Sequence, residues 1–208
     1  MAGMVYFAGW RASEDSRSLS EGQEPKSGRL YTMYHGTHVN SATAIITGGF
    51  QPSKVGLLGE GVYVSRNIKK AKCYPLRADR QEKVVLKLKV DVGRVKKIDS
   101  DNHPLQKSWK QNGYDCAWIP PHSNVSAIKS GREEDCVWDP SRITVTDVAF
   151  CADERRRREL RALIRQRLPE GECGVCGLNT GEPHDIQDCW QCERKICPFE
   201  RKHVCMCT

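Results

Sequence analysis

The chain has 208 residues, with Lys+Arg 33 against Asp+Glu 26, a formal net charge of +7, 38% apolar and 28% charged residues. That composition excludes collagen-like and low-complexity chains. No apolar run reaches the ~18 residues that span a bilayer, and residues 1–10 lack a basic n-region, so neither a membrane span nor a signal peptide is expected. The length suits one domain with a small module attached. All but one unit of the positive excess falls in residues 1–151. It marks either an affinity for anionic partners or a merely soluble basic surface. Cysteine is the unusual count: 11 in all, seven of them between Cys173 and Cys207. Without a secretory signal, such clustering favours metal over disulfides. Cys73, Cys116, Cys136 and Cys151 are scattered and expected to be buried thiols.

In chain order, residues 11–29 are rich in Ser, Glu, Gly and Lys without periodicity and are expected to form a flexible loop. An apolar run at 30–34 leads into His35-Gly36-Thr37. Asn40 or Ser41 can cap a short helix through Ala42, Ile45 and Ile46, stopped by Gly48-Gly49. Residues 59–65 read as a tight turn feeding a strand, and 68–74 fit a helix. Residues 83–92 alternate: Val84, Leu86, Leu88, Val90 and Val92 face one way, as in a half-buried strand. Residues 103–113 are polar, with helix as the expectation. Short strands follow at 114–119, 134–138 and 143–150, the last two joined at Asp139-Pro140. Residues 153–168 form a helix with Leu160, Leu163, Ile164 and Leu168 on one stripe. Its arginine run is either a solvated face or a surface for nucleic acid or membrane. Mixed helices and short strands point to an α+β fold.

Three segments carry candidate chemistry: Tyr34-His35-Gly36-Thr37, Gly59-Glu60-Gly61-Val62-Tyr63-Val64-Ser65, and Glu134-Asp135-Cys136-Val137-Trp138-Asp139. Singly each is weak; the Gly-x-Gly turn lacks the third glycine of a dinucleotide fingerprint. In this order they resemble the catalytic domain of the poly(ADP-ribose) polymerase superfamily, the diphtheria-toxin-type ADP-ribosyltransferases, whose signature is His, Tyr and Glu on three strands. The intervening text agrees: 42–50 resembles the family's helix and following Gly-Phe, 69–74 the helix carrying its second tyrosine, and Tyr114-Asp115-Cys116 its Tyr-Asp-Ser. The likeness spans about 30–150. Within the superfamily, Met33-Tyr34-His35-Gly36-Thr37-His38-Val39, Gly61-Val62-Tyr63-Val64-Ser65-Arg66 and Glu133-Glu134-Asp135-Cys136-Val137-Trp138-Asp139-Pro140 are similar to segments of the interferon-responsive vertebrate family named for genes induced by grass carp reovirus. That likeness implies an antiviral, innate-immune setting.

The resemblance implies an NAD-binding site and a set of roles. Tyr63 and Tyr74 would stack on the cationic nicotinamide ring. The backbone of Gly36 would meet the carboxamide, where a side chain would block close approach. His35 would hydrogen-bond the adenine-side ribose, supported by Thr37. Glu134 would contact the nicotinamide ribose and stabilise the positive charge that builds as the glycosidic bond breaks. Aligning Val137-Trp138-Asp139 on the family's Val-Tyr-Asp selects Glu134 over the adjacent Glu133. Strand alternation then puts Glu134, Cys136 and Trp138 on one face. The catalytic set is therefore Glu134, His35 and Tyr63. Ala71 departs from the family, which in many members has a serine there for the nicotinamide amide. The first motif begins near residue 30, so the autoinhibitory helical domain of some relatives is expected to be absent.

The tail reads Cys173-x2-Cys176-x12-Cys189-x2-Cys192-x4-Cys197, then His203, Cys205 and Cys207. Two Cys-x2-Cys pairs at this separation signal zinc. One site of Cys173, Cys176, Cys189 and Cys192 with a second of Cys197, His203, Cys205 and Cys207 is one arrangement. A cross-braced pairing is equally legal. The spacing loosely resembles AN1-type fingers and the C-terminal domain of piggyBac-like transposases. One or two Zn2+ ions are expected, and a module this small folds only with its metal.

The expected organisation is an N-terminal strand and flexible loop (1–29), a PARP-like ADP-ribosyltransferase domain of short strands in two sheets (30–151), a basic amphipathic helix or linker (152–169) and a zinc-binding module (170–208). The expected function is NAD-dependent mono-ADP-ribosyl transfer to protein or nucleic acid, by a cytoplasmic or also nuclear monomer that does not engage membrane. The alternative is an inactive PARP-like protein that binds ADP-ribose, nucleic acid or a protein partner, with the zinc module as adaptor.

Overall fold

In the computed structural model, residues 18–128, 132–167 and Cys197 are described, together with the backbone of four two-residue strands at 4–5, 187–188, 195–196 and 203–204. The elements are β1 (Met4–Val5), β2 (Leu30–His38), α1 (Val39–Gly48), β3 (Val62–Val64), α2 (Ile68–Ala71), β4 (Lys83–Asp91), β5 (Val95–Lys97), β6 (Cys116–Ile119), β7 (Glu134–Val137), β8 (Ile143–Cys151), α3 (Glu154–Arg167), β9 (Gln187–Asp188), β10 (Lys195–Ile196) and β11 (His203–Val204). The first sheet has the order β2-β4-β8, all antiparallel; the second has β3-β7-β6-β5, with β5 parallel to β6. β1 pairs with β11, and β9 with β10. This is the expected α+β arrangement of short strands in two sheets.

The alternation of β4 is borne out, since Val84, Leu86, Leu88 and Val90 are all buried. Val85 is buried too, where the pairing with β8 shifts register between Val85 and Leu86. β2 does not stop before His35-Gly36-Thr37 but runs through them, pairing each with β4. α1 is capped by the His38 side chain, which accepts from the Asn40 amide at 3.2 Å, rather than by Asn40 or Ser41. It ends at Gly49, whose φ of 84° suits a residue without Cβ. α1 and α3 cover the first sheet. Ala42 and Ile46 meet Leu160 and Ile164 over Leu86 and Leu88, and Val62, Val64 and Val137 join this core from the second sheet. Burying such a stripe is what holds helices of this length in place. Part of the α3 arginine face is solvated; Arg161 instead grips Asp147 of β8 with Nε–Oδ1 at 2.7 Å and Nη2–Oδ2 at 2.9 Å. The outer face of the second sheet has a separate core of Leu58, Ile98, Trp109, Ala117, Ile119 and Cys136.

Several expectations are corrected. Residues 103–113 are turns with a single 3-10 turn at Lys110–Asn112, because Pro104 and Gly113 flank too few apolar positions to bury a helical face. The helix expected over 68–74 is only Ile68–Ala71. Residues 18–29 have no regular structure, yet they are pinned. Leu19 is in the core, the Gly28 amide donates to the Gly93 carbonyl at 2.8 Å, and the carbonyls of Ser20 and Gln23 accept from Arg66. Cys116, Cys136 and Cys151 are buried as expected; Cys73, on the turn after α2, is exposed. Among the described residues no helix is long and apolar enough to cross a membrane.

Candidate active site

The two sheets meet where Tyr34 of β2 exchanges backbone hydrogen bonds with Ser65, just past β3, at 2.7 and 2.8 Å. This junction brings the middle of β2, β3 and the start of β7 together beside α2. The cavity there is lined by Tyr34, His35, Gly36, Tyr63, Val64, Ser65, Lys70, Ala71, Tyr74 and Glu134. Five residues singled out from sequence thus share one cavity: His35, Gly36, Tyr63, Tyr74 and Glu134. Thr37 does not line it; it is buried in β2 opposite Val84.

His35 is held from two sides. Its Nδ1 lies 2.8 Å from the Tyr63 carbonyl, and Phe50 packs edge-on at 5.1 Å. A carbonyl only accepts, so Nδ1 carries the proton. Burial pushes the His35 pKa down, so the ring is neutral near pH 7 and Nε2 is left as an acceptor. Tyr63 is anchored by its hydroxyl, which donates to the Gly59 carbonyl at 2.8 Å and accepts from the Leu58 amide at 3.0 Å. Burial raises its pKa, so the phenol stays protonated. Tyr74, at the rim, is 41% exposed. Gly36 is dictated by a contact within the chain: a Cβ there would sit 1.9 Å from the Ala71 carbonyl oxygen. Only glycine lets the end of α2 lie against β2, which places Ala71 and Tyr74 on the cavity wall.

Alternation along β7 separates the adjacent glutamates. Glu134 lines the cavity on the same face as Cys136, whose thiol is pushed up to about 12, by burial first. Glu133 and Asp135 point the other way, onto Arg66. The Arg66 guanidinium donates to Asp135 Oδ1 at 2.9 Å and Oδ2 at 3.3 Å, and its Nε lies 3.1 Å from Glu133 Oε2. Glu133 Oε2 also accepts from Trp118 Nε1 at 3.1 Å, and the guanidinium stacks over that indole at 5.3 Å. Burial raises the pKa of both acids, with Arg66 working against it. This buried cluster fixes the backbone from which Glu134 projects.

Sequence reasoning missed Lys70. Its Nζ lies 2.8 Å from Glu134 Oε1 and also donates to the Glu133 carbonyl. The side chain is almost fully buried. Of the two lysines on α2, its only signal was its place beside Ala71, in the segment the family resemblance puts against nicotinamide. Trp138 lies past the end of β7, 37% exposed, with Lys110 Nζ 3.6 Å from its ring centroid.

No group of three or more His, Cys, Asp or Glu among the described residues could hold a metal. Of the zinc-ligand candidates, Cys173, Cys176, Cys189, Cys192, Cys205 and Cys207 lie outside the described residues. Cys197 is described and buried, and His203 is described only as a backbone position of β11 opposite Val5.

Comparison with known proteins finds no match among curated proteins. Comparison with protein families matches residues 11–149 to the Poly(ADP-ribose) polymerase catalytic domain. The matched span takes in residues 18–29, which the fold pins through Leu19 and Arg66, as well as the strands of the two main sheets, all but the last two residues of β8. With well over half its length matched, and with the His, Tyr and Glu segments meeting at one cavity, the chain belongs to the poly(ADP-ribose) polymerase catalytic-domain family.

Proposed function

We propose that the protein is an NAD-dependent ADP-ribosyltransferase that transfers single ADP-ribosyl units, with a C-terminal zinc module that selects targets. The observation that carries this reading is the convergence of His35, Tyr63, Tyr74 and Glu134 on one cavity. NAD enters as substrate. The nicotinamide ring lies between Tyr63 and Tyr74, and its carboxamide meets the backbone of Gly36. His35, neutral and with Nε2 open, accepts from the adenine-side ribose. Glu134 contacts the nicotinamide ribose. As the C1′–N bond breaks, its carboxylate faces the developing oxocarbenium charge. The zinc module rests on the Cys-x2-Cys spacing, and an antiviral setting on the resemblance to the interferon-responsive family.

The alternative reading is a protein that binds ADP-ribose or NAD without turnover. It is favoured by Ala71, which offers no hydroxyl to the carboxamide, and by the Lys70–Glu134 ion pair. Incubation of the zinc-supplied protein with NAD and a protein acceptor pool separates the two. Nicotinamide release with ADP-ribosyl mass gain, abolished in Glu134→Gln, supports the transferase. NAD or ADP-ribose binding without nicotinamide release supports the binding protein.

A further inference from the structure

α3 lies beyond the matched span, and its charge is lopsided. Of its 14 residues seven are arginine and two are glutamate. Glu159 is shared by Arg155 and Arg156 at 3.8 and 3.0 Å, Glu154 pairs with Arg157 at 3.5 Å, and Asp147 holds Arg161. Arg158, Arg165 and Arg167 are exposed and pair with no acid among the described residues. At about 100° per residue, Arg158 and Arg165 fall in one line, two turns and ~10 Å apart, opposite the buried Leu160 and Ile164. α1, the neighbour in the same layer, carries no charged side chain to neutralise them. α3 also has no aromatic residue on which a nucleic-acid base could stack.

The opposite imbalance follows at once in the chain. Residues 168–193 hold six acids, Glu170, Glu172, Glu182, Asp185, Asp188 and Glu193, and no lysine or arginine. Pro169 keeps α3 from continuing, so this segment starts at the helix end that bears Arg165 and Arg167. The stretch from Arg167 to Glu182 can reach roughly 50 Å, against about 21 Å for the whole length of α3. The acids can therefore lie along any part of the arginine face. Tethered this closely, they act at an effective concentration in the millimolar range, which a free polyanion does not match. The six acids supply the complementary charge by themselves, and each four-thiolate zinc centre of the proposed module adds two further negative charges.

We infer that the arginine face of α3 is the docking surface for the chain's own acidic segment, residues 168–193, which folds back onto Arg158 and Arg165 and holds the C-terminal module against the transferase domain. The pairs it forms are exposed and screened by salt, so the docking is reversible and tightens as ionic strength falls.

The test is hydrogen exchange of the α3 amides, read on the full chain supplied with zinc. Changing the tail and reading the helix leaves the sequence of α3 untouched. In a Glu182→Lys/Asp185→Lys variant the α3 amides should exchange about tenfold faster than in wild type at low salt, taking roughly twofold for each attraction lost and each repulsion gained. In Glu182→Gln/Asp185→Asn, where only the attractions go, the change should be about fourfold. This neutral pair keeps the test valid should the lysine pair unfold the module, and zinc content and Tm are checked on both. The differences should vanish at ~1 M salt, where the screening length falls to about 3 Å. Adding Arg158→Glu/Arg165→Glu to the lysine variant should restore protection at low salt. Equal exchange in wild type and both tail variants overturns the inference, as does faster exchange that neither salt nor the charge swap reverses. A short RNA duplex that binds the wild-type chain at physiological salt, with a salt slope that Arg158→Gln/Arg165→Gln lowers, also overturns it, because the face is then open to nucleic acid.

Discussion

Replacing Arg66 by Met should be the most damaging single change outside the cavity. The Arg66, Glu133 and Asp135 side chains are 2%, 7% and 1% exposed, so neither acid can turn to water when the guanidinium goes. The carbonyls of Ser20 and Gln23 lose their partner as well. Removing one side of a buried ion pair costs about 3–5 kcal/mol, because the remaining charge is left uncompensated. For a chain of this size each kcal/mol lowers Tm by roughly 2–4 °C, so a fall of about 6–20 °C is expected by thermal unfolding. The loss should depend on pH with a definite sign. Burial already raises both carboxyls above their ordinary 4.5 and 3.8, and Arg66 is the group that restrains the rise. Without Arg66 they rise further. An acid whose folded pKa exceeds its unfolded value destabilises the fold increasingly as pH climbs above the unfolded value. The deficit of Arg66→Met should therefore narrow as pH is lowered from 8 toward 5. A Tm within 2 °C of wild type, or a deficit that widens on acidification, would refute the reasoning.

Gly36→Ala sets a Cβ against the Ala71 carbonyl, a backbone atom that cannot swing aside, so a loss of about 1–3 kcal/mol in urea unfolding is expected, together with weakened NAD binding as α2 shifts. For His35 the sign is opposite to that of the buried acids. Burial holds its pKa below 6.5, so the unfolded chain binds the proton more readily, and the ring's contribution is complete above pH 6.5 and lost as pH falls below it. The difference in urea midpoint between wild type and His35→Gln should accordingly shrink from pH 7.5 to pH 5.5; a constant difference would count against a neutral buried ring.

Most of the architecture could be read from hydrophobic period. β4 buries Val84, Leu86, Leu88 and Val90, and that period of two survives in the sequence. The choice of Glu134 over Glu133 came from the family resemblance at Val137-Trp138-Asp139; alternation then set Glu134 on the face of Cys136. Contacts between segments distant in the chain were not legible. Lys70 and Arg66 look like surface cations in any local window; their burial follows from β7 lying alongside, more than sixty residues later in the chain. β5, three residues of Val-Lys-Lys parallel to β6, was missed because an edge strand that short has no period to detect. The glycine of the His35-Gly36 motif was assigned to ligand approach, and the structure adds the nearer reason, the carbonyl of Ala71.

The most direct test sets Glu134→Gln beside Glu133→Gln, with nicotinamide release, NAD binding and Tm measured on both. The account predicts that Glu134→Gln keeps NAD binding but loses turnover by ~10²-fold or more, as expected when a charge facing the transition state is removed. It predicts that Glu133→Gln loses Tm through the Arg66 and Trp118 contacts while the folded fraction still turns NAD over. Turnover that survives in Glu134→Gln and vanishes in folded Glu133→Gln would contradict it.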